Sequence, residues 1–77
     1  MKAYIFVTAA SKANPRELAR EIGRIGGITS ADLCWGLPDI IAVAEASDMK
    51  VLETMIVDRV QKIAGVEKTD THIVSSP

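Results

Sequence analysis

Lys2 to Ala9 (KAYIFVTA) alternates two sets that are both largely apolar, Ala3, Ile5 and Val7 on one face and Tyr4 and Phe6 on the other. A strand greasy on both sides is expected to be covered on both sides. The period then changes. Asn14 is a good N-cap, Pro15 suits the first helical position, and Glu17 stands where it can close a capping box. Leu18, Ala19, Ile22 and Ile25 recur at helical spacing until Gly26-Gly27 stop the element.

Ile28 to Trp35 (ITSADLCW) returns to alternation, with Leu33 and Trp35 on one side and Ser30, Asp32 and Cys34 on the other. Gly36-Leu37-Pro38-Asp39 is a turn cluster. Ile40 to Ala46 (IIAVAEA) is a nearly continuous apolar run, which predicts a strand in the middle of the sheet, joined to its predecessor as a hairpin. Ser47 is placed to cap a second helix with apolar positions Met49, Leu52, Met55, Ile56, Val60 and Ile63, Asp48 lying at its positive end, and Gly65 ends it. Val66 to Ser75 sets Glu67, Thr69, Thr71 and Ile73 against Val66, Lys68, Asp70, His72 and Val74, the pattern of a polar edge strand.

The order β-α-β-β-α-β with two right-handed crossovers gives the split βαβ, ferredoxin-like α+β plan, an antiparallel sheet ordered 4-1-3-2 with both helices on one face. The other face is left bare and apolar. Tyr4, Phe6, Leu33, Trp35, Ile41 and Val43 are its expected residues, and such a face predicts that two sheets pair in a dimer.

Size strengthens that expectation. A chain of 77 residues allows one domain, spanning 1–77. Its surface should fall from about 12,000 Å² extended to roughly 4,600 Å² folded, burying only about 60%. One Phe, one Trp and one Tyr leave an aliphatic core that barely offsets conformational entropy.

Charge and chemistry narrow the partners. Nine Lys and Arg against ten Asp and Glu give a net charge of -1. The signs are interspersed, so no basic stripe for direct nucleic-acid binding exists. A lone cysteine, Cys34, and no glycosylation sequon fit a cytoplasmic protein, and no apolar run is long enough to span a membrane. Cys34 and His72 are the only soft ligands, far apart and without a Cys-x-x-Cys, so no metal or other cofactor is expected. Asp70 and His72, about 7 Å apart on one strand face, read as a solvated edge pair, as a base with its orienter, or as a pH-sensitive pair. Cys34 beside Trp35 reads as a reactive thiol or, with no neighbouring cation in the sequence to activate it, as a buried one, the reading preferred. In the Gly36 to Asp39 turn, the Asp39 carboxylate either caps the turn or, with free N–H groups around Gly36, offers the acceptor and donors that an amino acid requires.

Gly36 through Asp39 into Ile40-Ile41-Ala42-Val43, then Ile63-Ala64-Gly65-Val66, then Thr69-Asp70-Thr71-His72-Ile73-Val74, resembles the C-terminal effector (RAM) domain of the leucine-responsive regulatory protein (Lrp/AsnC) family. That family shows a Gly-x-Tyr-Asp turn, an Ile-Pro-Gly-Val element and a closing Thr-x-Thr-x-Ile-Val strand; here Pro38 replaces the Tyr and Ala64 the Pro. The resemblance implies a homodimer assembling to an octamer or decamer, with an amino-acid effector between dimers near the turn. Gly36, Leu37, Asp39, Thr69 and Thr71 are the ligand-binding residues it implies. No helix-turn-helix precedes Met1, so a stand-alone module without a DNA-binding domain is expected, one that joins full-length regulators. Two other readings stand beside it: a small dimeric α+β barrel-type enzyme with His72 as base and Asp70 as its orienter, and a purely structural oligomer. The ACT type of amino-acid-binding domain shares the topology but places a Gly-containing loop after the first strand, where this chain has Ala9-Ala10-Ser11-Lys12-Ala13. The expectation adopted is a binding module, not an enzyme.

Overall fold

The structure, a computed structural model, describes residues 1–75; the last two positions of the expected domain lie outside the described residues. Strand β1 (Lys2–Ala9) leads to helix α1 (Pro15–Gly23), strands β2 (Ile28–Leu33) and β3 (Ile40–Glu45), helix α2 (Met49–Met55) and strand β4 (Val66–Ile73). The four strands form one antiparallel sheet in the order β2-β3-β1-β4, the ferredoxin-like arrangement. β3, the most apolar strand, lies between β2 and β1, and the polar β4 lies at an edge.

Local chemistry sets the helix starts. Asn14 Oδ1 accepts hydrogen bonds from the Arg16 and Glu17 amides, satisfying two donors that the first turn leaves open. The Glu17 carboxylate meets Arg20 Nη1 at 3.0 Å rather than turning back into a capping box. At α2 the cap is Asp48, not Ser47: its carboxylate accepts from the Val51 amide at 2.9 Å. Asp combines an acceptor with a negative charge at the helix's positive end, which Ser cannot offer. α2 then passes into one π-helical turn, Ile56–Val60, which keeps Leu52, Met55, Ile56 and Val60 all directed at the core.

That core is one aliphatic cluster between the helices and one face of the sheet. Ala3, Ile5 and Val7 of β1 and Ile40, Ala42 and Ala44 of β3 meet Leu18, Ala19 and Ile22 of α1 and the four residues of the second helical segment. Ile5, Ile22, Ile40, Leu52, Val7 and Val60 are the largest side chains buried completely. Each such burial contributes about 1.5–3 kcal/mol.

The opposite face carries no helix, and strand register defines its residues, because partners opposite one another share a face. Two rows cross it: Ser30, Val43, Tyr4 and His72, then Asp32, Ile41, Phe6 and Asp70. Leu33 differs from expectation. It pairs with Ile40, whose side chain enters the core, so Leu33 lies on the helix side of the sheet at its edge. β2 also ends there, so Cys34 and Trp35 lie in the following loop: Cys34 is half-buried rather than the buried thiol expected, and Trp35 is not part of the sheet face expected to carry it. The sequence pattern separates Leu33 from Ser30 and Asp32 correctly, but it does not say which set faces the helices. Pairing to β3 decides that, and it puts the polar set on the uncovered face.

Candidate functional site

The connection between β2 and β3 is closed on itself by one hydrogen bond and tied to the end of β1 by two. Cys34 N donates to Asp39 O at 2.7 Å, and Asp39 N donates to Val7 O at 3.1 Å. The Asp39 carboxylate, through Oδ2, accepts from Ala9 N at 2.7 Å across 30 residues of chain. Asp39 therefore closes its loop and also fixes the direction of its own carboxylate. Gly36, with φ 99°, makes the reversal that a side chain would strain.

Beside this loop lies a groove of about 510 Å³ lined by Pro15, Arg16, Leu33, Cys34, Trp35, Gly36 and Asp39. That volume falls within the roughly 300–1,000 Å³ of small-molecule sites. Its wall from α1 is absent from the sequence-level candidates. Arg16 sits next to Asn14 and Pro15, which read only as helix-start residues, and nothing in one dimension brings it to a loop some twenty residues on. Trp35 is fully exposed, with a relative accessibility of 105%.

The five residues expected at a ligand site separate in the subunit. Gly36 and Asp39 line this groove. Leu37 turns to the uncovered face, where with Pro38, Phe6, Thr8, Lys68 and Asp70 it lines a second hollow of about 390 Å³. Thr69 and Thr71 stand opposite Val7 and Ile5, on the helix side of β4, and line neither hollow. Thr69 Oγ1 accepts from Gln61 Nε2 at 2.9 Å.

The uncovered face has its own chemistry. Tyr4, Phe6, Ile41 and Val43 form its centre, and Ser30, Asp32, Asp70 and His72 its two margins. His72 stands edge-on to Phe6, with ring centroids 4.8 Å apart, and its Nε2 lies 3.3 Å from Asp70 Oδ2. Lys2 Nζ lies 5.3 Å above the Tyr4 ring. The His72–Asp70 pair is exposed at the margin. Among the described residues, no group of three or more His, Cys, Asp and Glu side chains is placed to hold a metal ion, and no helix is long and apolar enough to cross a membrane.

The fold is a two-layer α+β domain, one helix layer on one face of a four-stranded sheet whose other face is uncovered. The profile of the Lrp/AsnC ligand binding domain matches residues 2–77, and the chain belongs to that family. Solved structures share the fold. FFRP-DM1 superposes with a TM-score of 0.86 at 23% identity, covering 96% of this chain and 97% of its own. Escherichia coli AsnC superposes at 0.89 and 17% identity, covering 99% of this chain and 51% of its own. A Neisseria meningitidis transcriptional regulator in complex with L-Met gives 0.85 at 21% identity, covering 97% of this chain and 49% of its own. A search of curated proteins finds no match.

Proposed function

We propose that this chain is an effector-binding and assembly module. Two copies pair through their uncovered sheet faces, and the dimers join into a ring of eight or ten. A small amino acid or related metabolite binds between subunits beside the Gly36–Asp39 loop, and the assembly modulates full-length regulators of the same family in the cytoplasm. The observation that carries the reading is the composition of the bare face: an aromatic and aliphatic centre between two polar margins, the anatomy of a protein interface rather than of a solvated sheet. Membership in a ligand-binding family supports the sensing half. The L-Met complex of the Neisseria regulator supports the ligand class. Thr69 and Thr71, which line neither hollow in their own subunit, contribute to the ligand site from an adjacent one.

Calorimetric titration of the purified protein with each common amino acid, with its mass followed by light scattering, tests the reading. A saturable heat for at least one amino acid on an oligomeric protein is expected. Silence across the set on an oligomer removes the sensing half, and silence on a monomer removes both.

A further inference from the structure

Arg16 and Asp39 line the same groove, yet they do not pair. Among the described residues the ion pairs are Arg20 with Glu17 and His72 with Asp70, so Arg16 has no carboxylate partner although Glu17 is its neighbour. A cation in the first turn opposes the helix dipole, so helix stability does not explain it. Asp39, in the same groove, is aimed by the Ala9 amide, which occupies Oδ2. Among the described residues, no hydrogen bond reaches its other carboxylate oxygen. Leu33 and the indole of Trp35, the only tryptophan in the chain and presented wholly to solvent, line the same groove.

A cation and an anion facing one cleft without neutralising each other match a ligand that carries both charges on adjacent atoms. A guanidinium binds a carboxylate through two parallel N–H donors, and a carboxylate accepts from an ammonium. A flat apolar surface beside them favours a ring, which stacks on indole beyond what area burial alone gives. We infer that the groove takes a free α-amino acid with an aromatic side chain, its carboxylate on Arg16, its ammonium on Asp39 and its ring against Trp35. The inference rests on the effector-binding reading above and narrows it to a ligand class, with Arg16 and Trp35 as the residues that select it.

The test is calorimetric titration with L-phenylalanine, L-leucine, phenethylamine, which lacks the carboxylate, and 3-phenylpropionate, which lacks the ammonium. L-phenylalanine is expected to bind saturably and to shift the Trp35 emission, and each charge-deleted analogue to bind about tenfold or more weakly. Arg16→Gln is expected to weaken L-phenylalanine by a similar factor while leaving phenethylamine unchanged. Trp35→Leu is expected to remove a preference of roughly fivefold for phenylalanine over leucine. Both side chains are exposed, so the thermal midpoints of the variants should match the wild type, which separates a lost contact from a lost fold. If an amino acid binds with equal affinity to wild type, Arg16→Gln and Trp35→Leu, or binds without altering Trp35 emission, the effector sits elsewhere: this inference falls and the proposed function stands. Silence with every amino acid overturns this inference together with the sensing half of the proposed function.

Discussion

At the scale of single residues, Asp39 has two separable roles. Its Oδ2 satisfies the partly buried Ala9 amide, and its charge faces the groove. Asp39→Ala strands that donor and is expected to lower unfolding free energy by about 1–3 kcal/mol in urea denaturation. Asp39→Asn keeps an oxygen for the amide and should lose about half as much or less, while losing the affinity for an ammonium-bearing ligand. Equal destabilisation by both variants would mean that the charge, not the acceptor, holds the loop. Asn14, by contrast, serves the helix alone through its two amide contacts. Asn14→Ala should cost about 1 kcal/mol in the same assay, with no effect on ligand titration.

Among elements, the helices and strands were legible because each announces itself locally: the Asn14-Pro15 start, the helical recurrence from Leu18 to Ile25, the apolar run from Ile40. The sheet order followed from handedness rules acting on that element order. What stayed hidden depends on pairing across the sheet. Leu33 is as apolar as Ile41, and only its position opposite Ile40 sends it to the helix side. The groove stayed half hidden for a related reason. Gly36 and Asp39 mark a turn in the sequence, whereas Arg16 reaches it only because α1 docks its first turn beside the β2–β3 loop. The junction between α1 and β2 makes an equally local demand. Gly27 has φ 97°, and a Cβ there would collide with the Met55 side chain and crowd the Glu45 carbonyl. Gly27→Ala should therefore destabilise the fold by roughly 1–3 kcal/mol, read as a lower urea midpoint. An unchanged midpoint would mean that α2 shifts freely, against its tight packing in the core.

For the whole molecule, the accessible surface is 5032 Å², somewhat above the roughly 4,600 Å² expected for a chain of this mass. The shape is a slab, 37 × 24 × 17 Å, one helix layer on one sheet. A domain this thin buries one side of its sheet and leaves the aromatic residues Tyr4 and Phe6 on the other, so its aliphatic core does the work of a single layer interface. A second copy laid on that face would give each sheet the two covered sides that the KAYIFVTA strand encodes. The most direct test is the mass in solution of the wild type and of Phe6→Asp, measured by light scattering at matched concentrations, with circular dichroism to confirm folding. Phe6 is outside the core cluster, so the variant should keep its secondary structure. The wild type is expected at a multiple of the 8.3 kDa chain mass and the variant at a lower one. A wild type that stays at the mass of one chain, or a folded variant that keeps the wild-type mass, would contradict the account.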